Sequence, residues 1–391
     1  MDRPWSSSRQ IQCMLLVFLF CIAGCQSAPA LPTEDRVADF AAIKSKAAAT
    51  ELTINRIPLD ATRGKPLEMA LHENSTPNHD RLIVFVHGVF SDSRMWRYLC
   101  WDLGRDYDVM AVDLLGCGAS DRPEPSDLAP DGYGPDALGK DVLFALRKRL
   151  GTPDAHPGLR ITLVGHSLGA MTILNMWAEP SIRTEFGDVL ERVDSLVLLS
   201  PPDIAGNCRT PIFQEIDGMT DLRMNLATLL GILKRRCVQA TIGGVFDPSL
   251  ATREEADRLV EIFRQSSTRH AGQAMLRQAI PQPKERIAEI IAGYANVRIP
   301  CLIIWGAQDD LFPTSMGYSL TERLPNAHLH IVKSAMHGLA TERPQICCDL
   351  LREFVSGKQT ASRRITILES RPPSPNAASV STVPGPPPLN H

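Results

Sequence analysis

The sequence predicts an α/β fold, a mostly parallel central sheet flanked by helices on both faces with a helical insertion late in the chain. Three observations carry that expectation. Between residues 82 and 200, short β-forming runs alternate with helix-period segments, the pattern of strand–helix–strand units. Between residues 207 and 297 the strand pattern stops and apolar residues recur at helical spacing. Strand-like runs then return at Cys301-Leu302-Ile303-Ile304-Trp305 and His328-Leu329-His330-Ile331-Val332.

The N-terminus reads as an export signal. Arg3 and Arg9 precede the apolar run Met14-Leu15-Leu16-Val17-Phe18-Leu19-Phe20-Cys21-Ile22. That run is too short for a typical membrane span and fits a secretory h-region. It leads into Ile22-Ala23-Gly24-Cys25, which resembles the bacterial lipobox, whose cysteine is lipidated and becomes the mature N-terminus. The expectation is a signal peptide over 1–24, a lipid on Cys25, and an exported chain anchored to the bacterial cell envelope, at the outer membrane or periplasmic face. Residues 25–50, alanine-rich and mixed in charge, read as a spacer from the membrane, with some helix.

The first part of the core spans residues 51–206. Strands are expected at 67–71, 82–86, 107–112, 161–164 and 195–199, with helices around 94–103 and 137–150 and after Ser167. In the insertion, 207–297, Leu222, Leu226, Leu229, Leu230 and Leu233 form one stripe and Ala256, Leu259, Val260 and Phe263 another. Both are expected to pack the insertion onto the core. Lys234-Arg235-Arg236 ordinarily marks a solvated face, and an anionic membrane is its one functional alternative. The core resumes over 298–357. The tail, 358–391, is polar and Pro-rich and reads as disordered, because it cannot bury enough apolar area to offset ordering.

The chemistry centres on Ile161-Thr162-Leu163-Val164-Gly165-His166-Ser167-Leu168-Gly169. A strand runs into Gly-x-Ser-x-Gly and a helix follows. The glycines let strand and helix approach closely, so Ser167 occupies a strained turn with its hydroxyl exposed. An acid and then a histidine are expected further along. Asp309, on the loop after the 301–305 strand, is the preferred acid. Asp310 and Asp203 compete for the role. His337, in Ser334-Ala335-Met336-His337-Gly338, is the preferred base, with His328 and His330 read as structural or solvent-facing. Oxyanion donors are assigned to the N–H groups of Leu168 and of Val89, with Phe90 the alternative to Val89. His87 is expected to brace the loop.

With these residues in place, the chain resembles the α/β-hydrolase superfamily, in its serine esterase and lipase-like branch with a helical cap, over roughly 67–355. The resemblance also rests on Val86-His87-Gly88, on Asp113-Leu114-Leu115-Gly116-Cys117-Gly118-Ala119-Ser120-Asp121 and on Gly306-x-x-Asp309. It implies that the insertion is a cap over the active site. A serine in the elbow argues against haloalkane dehalogenases and epoxide hydrolases, and the lipase branch built on His-Gly-Gly-Gly is not matched. Leu115 and Cys117 depart from residues common in relatives.

Composition bounds the rest. In 391 residues, 44% hydrophobic, a large core is attainable. The net charge of -3 argues against a nucleic-acid binder. No metal or organic cofactor is expected. Of ten cysteines, Cys208 and Cys237 both fall in the insertion, and an exported chain would permit a disulfide between them. The expected function is carboxylic ester hydrolysis on a small ester or lipid-like substrate. Acyl transfer, thioester, amide or carbon–carbon cleavage by the same residues, and a binding-only surface lipoprotein, are the alternatives.

Overall fold

The computed structural model describes residues 29–45, 52–74, 79–152, 155–204, 216, 218–280, 283–357 and 364–368. Cys25 and the segment before it lie outside the described residues, as does Cys208 and hence its proposed pairing with Cys237. Among the described residues no helix is long and apolar enough to cross a membrane.

Nine strands form one sheet: β1 (Leu52–Pro58), β2 (Glu68–Asn74), β3 (Arg81–Val86), β4 (Asp108–Asp113), β5 (Arg160–His166), β6 (Val193–Leu199), β7 (Cys301–Gly306), β8 (Ala327–Val332) and β9 (Ile365–Leu368). Their order is β1-β2-β4-β3-β5-β6-β7-β8-β9. β1 and β2, and β2 and β4, pair antiparallel, and from β4 onward neighbours are parallel. The principal helices are α1 (Ala38–Lys44), α2 (Arg97–Leu103), α3 (Pro135–Leu150), α4 (Leu168–Ala178), α5 (Asp221–Leu229), α6 (Ile232–Gly243), α7 (Arg253–Arg264), α8 (Ser266–Ala279), α9 (Lys284–Gly293), α10 (Thr314–Arg323) and α11 (Pro344–Val355).

Strand alternation divides the core in two. On β3, Leu82, Val84 and Val86 join a cluster with Leu138 and Val142 of α3, Ile173 of α4, Ile290 of α9 and Leu320 of α10. Ile83 and Phe85 point to the other face, where Phe40 and Ile43 of α1, Leu99 of α2 and Leu351 of α11 pack. The period-2 pattern of the strands therefore feeds two apolar layers, both covered by helices.

Local signals set the helix ends. α3 begins with Pro135 at its first turn and stops at Gly151, which has φ 65°, with Arg147, Lys148 and Arg149 in the last turn. α7 is capped by Thr252, whose hydroxyl accepts from the Glu255 N–H, and carries Glu254 and Glu255 in its first turn.

Three expectations are corrected. Residues 38–44 are not a mere spacer: α1 buries Phe40 and Ile43, and Phe40 stacks on Tyr98 at 4.7 Å. Part of the tail is ordered, since β9 adds a parallel strand beside β8. Its sequence Ile365-Thr366-Ile367-Leu368 is a β-branched run that takes the free sheet edge, and the Pro-rich context obscures it. Finally, the leucine stripe of the insertion does not pack inward. Leu222, Leu226, Leu229 and Leu230 are exposed, and the inner face of α5 is Met224 and Ala227. The stripe is broken because Gly231, at φ 68°, ends α5 and starts a separate helix, which alone buries Leu233.

Between β6 and β7 run α5 to α9. Ile216, Met219, Met224, Ala227, Leu233, Cys237 and Leu276 make a small apolar cluster there, with Leu259, Val260 and Phe263 of α7 packed against it. α9 instead lies on the core, where Gly293 fits so tightly that a Cβ would meet the Ala178 backbone at 2.5 Å.

Candidate active site

Ser167, Asp309, His337 and Val89 all follow the carboxyl ends of parallel strands: β5, β7, β8 and β3. That end of such a sheet is where ligands bind. Ser167 has φ 52° and ψ -121°, a conformation costly for a residue with a Cβ and held here by its surroundings. Its N–H donates to the Leu199 carbonyl at 2.9 Å. Gly169 makes the turn possible: a Cβ there would lie 2.3 Å from the Val86 oxygen and 2.5 Å from the His87 oxygen. Leu168 opens α4, so its N–H belongs to the first-turn donors that lack an acceptor within the helix.

The histidine is joined to Asp309. The His337 Nδ1–H donates to Asp309 Oδ2 at 2.8 Å. The other oxygen, Oδ1, accepts from the Leu311 and Phe312 N–H groups at 3.0 and 2.9 Å. The carboxylate is thus aimed from both sides. Phe312 also places its ring edge-on to His337, 5.4 Å between centroids. Gly306 lets the histidine loop settle onto β7, because a Cβ there would come within 2.2 Å of the Met336 oxygen.

The two competing carboxylates are placed differently. Asp203 accepts from Ser319 at 2.8 Å and pairs with Arg323. Asp310 faces the cavity. Burial, and next the charge of Asp309, raise its carboxyl to about 6. His87 is fully buried and joins two strand ends, its Nδ1–H donating to the Gly88 oxygen at 2.7 Å and its Nε2 accepting from the Leu114 N–H at 3.1 Å. Burial holds its pKa down, so it stays neutral and braces the loop before Val89.

Two neighbours carried no separate sequence signal. His166 precedes the serine and stacks obliquely near His337, 4.7 Å between ring centroids. Its Nε2–H donates to the His337 carbonyl at 3.0 Å. Burial, then the nearby His337, push its pKa down to about 3. Glu342 is buried and receives the Met336 N–H at 2.7 Å and the Phe246 N–H at 2.6 Å. It therefore ties the histidine loop to the chain leaving α6. Only side-chain proximity in the fold identifies these two, since a histidine inside the motif and a glutamate five residues past His337 are unremarkable in sequence.

Ser167, His337, Asp310, Val89, Phe90 and His166 surround or border a cavity of about 250 Å3, with Met219, Phe263 and Leu276 of the insertion among its apolar walls. Part of its wall is ionic but internally matched. Arg97 pairs with Glu34 at 2.6 Å and Glu255 at 3.4 Å. Arg258 pairs with Glu255 and lies 3.6 Å from Asp92. Among the described residues no group of three or more His, Cys, Asp or Glu side chains is placed to hold a metal ion.

Comparison with known proteins agrees with this architecture. The model of the alpha/beta hydrolase family matches residues 83–350, and the chain belongs to that family. It is a hydrolase by membership. A 2-hydroxy-6-oxononadienedioate/2-hydroxy-6-oxononatrienedioate hydrolase of Pseudomonas sp. is 22% identical over 311 residues, 76% of this chain and 95% of that protein. Among solved structures, a membrane phospholipase A described as a bacterial virulence factor superposes with a TM-score of 0.59 at 17% identity, covering 83% of this chain and 93% of that one. The 2-hydroxy-6-oxo-6-phenylhexa-2,4-dienoate hydrolase of Rhodococcus sp. strain RHA1 gives 0.58 at 20% identity, covering 78% and 99%. At these identities the structural likeness establishes the fold alone.

Proposed function

We propose that this protein is a serine hydrolase of carboxylic esters with an uncharged, apolar acyl part. The observation that carries the reading is the 2.8 Å hydrogen bond from His337 to Asp309 beside a cavity that Ser167 also borders. His337 Nε2 takes the Ser167 hydroxyl proton as Oγ attacks the ester carbonyl. The oxyanion is held by the N–H groups of Leu168 and Val89. Asp309 keeps the ring oriented and stabilises the imidazolium. The tetrahedral intermediate expels the alkoxide, which receives the proton from His337, leaving an acyl-Ser167. Water, deprotonated by His337, then attacks the acyl carbon and releases the acid.

A second reading, carbon–carbon bond hydrolysis, is favoured by the names of two similar proteins. Against it stands the cavity's charge. A dioate or dienoate brings carboxylates, whereas Arg97 and Arg258 are already paired with Glu34, Glu255 and Asp92, and Asp310 adds a carboxyl to the wall. The Cys25 lipid anchor and a cell-envelope location belong to the same proposal, on the strength of the N-terminal sequence.

Fluorophosphonate labelling with mass spectrometric mapping tests the reading. The adduct is expected on Ser167, and Ser167→Ala should abolish both adduct and ester turnover while the protein stays folded. Asp309→Asn should lower kcat by roughly 10^3–10^4 with little change in KM. Ester turnover persisting in pure Ser167→Ala protein would refute the assignment, and turnover of a dienoate in preference to any ester would install the second reading.

A further inference from the structure

We propose that the outer face of the α5–α6 hairpin is a docking surface for an anionic lipid bilayer. Leu222, Leu226, Leu229 and Leu230 are 79%, 41%, 82% and 59% exposed. Their spacing puts them on one side of α5 and its end. Single exposed leucines are ordinary, but four grouped on one helix face are a contact surface. The opposite side of α5 is already used, since Met224 and Ala227 pack with Leu233, Cys237 and Leu276.

Charge decides what covers these leucines. The hairpin carries Arg223, Lys234, Arg235 and Arg236 against one carboxylate, Asp221, in a chain whose net charge is -3. Asp221 is itself committed to Arg269 and lies 3.3 Å from His270. Arg223 is exposed and donates to the neutral Gly218 carbonyl at 3.1 Å, and Lys234 is exposed. A second copy docked face to face would oppose cation with cation. An anionic bilayer satisfies both components, with headgroups for the cations and acyl chains for the leucines.

The position gives the surface its purpose, and this step rests on the ester-hydrolase reading. Ala240, Thr241 and Gly244, on α6 and at its end, line the same cavity as Ser167 and His337. The hairpin therefore has the bilayer on one side and the cavity on the other, and the substrate class becomes a membrane lipid ester rather than a freely dissolved one.

The test uses the full chain carrying Leu229→Cys labelled with an environment-sensitive fluorophore. Because an N-terminal anchor would hold the protein on any vesicle, the local emission of the label is read rather than sedimentation. Vesicles of phosphatidylcholine with roughly one third phosphatidylglycerol should shift the emission to the blue, less so in pure phosphatidylcholine and less at high salt. Leu222→Ser/Leu226→Ser should keep turnover of a dissolved short-chain ester and lose about tenfold or more on an ester embedded in the anionic vesicles. Unchanged emission on those vesicles would overturn the proposal. So would a blue shift without vesicles that grows with protein concentration, which would assign the face to a second copy. Lack of turnover of either ester by the parent protein would remove the hydrolase reading and leave the emission result to judge the docking.

Discussion

His166 and Asp310 border the same cavity as His337 and pull the pH dependence of stability in opposite directions. The imidazole of His166 titrates at about 3 in the folded protein, through burial and then His337, against about 6.5 in an unfolded chain. Its folded pKa is depressed, so as pH falls from about 6.5 toward 3 the unfolded chain gains a proton that the folded one refuses. Stability drops over that window, by at most about 1.4 kcal/mol per pH unit for one group. Asp310 is the reverse case. Burial and then Asp309 raise it to about 6, so its contribution is present at low pH and lost as pH rises through about 6. Urea unfolding at pH 4 and pH 8 separates the two. Asp310→Asn should raise the midpoint at pH 8, equivalent to about 2–4 °C in Tm for each kcal/mol recovered, and change little at pH 4. His166→Gln should flatten the acid limb. Identical pH profiles for parent and variants would mean that neither group titrates out of place.

At the scale of elements, the elbow is tightly built, because strand β5, helix α4 and the end of β3 converge on it. A Cβ on Gly169 would lie 2.3 and 2.5 Å from the Val86 and His87 oxygens, which cannot move without shifting the end of β3 and the turn that carries Val89. Gly231 has φ 68° but open space around it. Gly169→Ala should therefore cost several times the ~1 kcal/mol expected for Gly231→Ala, where only backbone strain acts, and should also reduce kcat. Equal losses in urea unfolding would contradict this packing account. The elbow was legible in the sequence because its chemistry is local: glycines, a strand before and a helix after. The sheet strands β3 to β8 were legible because they are buried and alternate. β1 was not, since Thr53, Ile54, Asn55 and Arg56 are exposed and an edge strand imposes little burial pattern. The stripe on α5 misled because periodicity reports that one face is apolar and says nothing of what it faces. The Asp309–His337 pairing followed from chain order, whereas Glu342 and His166 gain their roles only from three-dimensional contacts.

For the molecule as a whole, the stretch before β1 binds the insertion to the core. The Pro32 carbonyl accepts from the Arg253 N–H at 2.9 Å, the Glu34 N–H donates to Glu254 at 3.1 Å, and the Glu34 carboxylate takes Arg97 of α2. α1 then anchors this stretch through Phe40 and Ile43. Since Arg97, Glu255 and Arg258 line the cavity, the N-terminal stretch helps to set the cavity's shape. Two variants separate anchoring from shaping. Phe40→Ala removes a buried ring and should cost about 3–5 kcal/mol in unfolding free energy, with substrate preference unchanged if the stretch stays seated. Glu34→Gln keeps the shape but leaves the partly buried Arg97 relying on Glu255, on the Arg94 carbonyl at 2.9 Å and on Tyr98, which accepts from it at 3.1 Å. Breaking one side of a largely desolvated pair is costly even when the geometry is kept. Glu34→Gln should therefore lower stability and raise KM for long-acyl esters, while kcat on a short ester stays near the parent value because Ser167 and His337 are untouched. Parent-like stability and acyl-length preference in Glu34→Gln would reduce this stretch to a bystander.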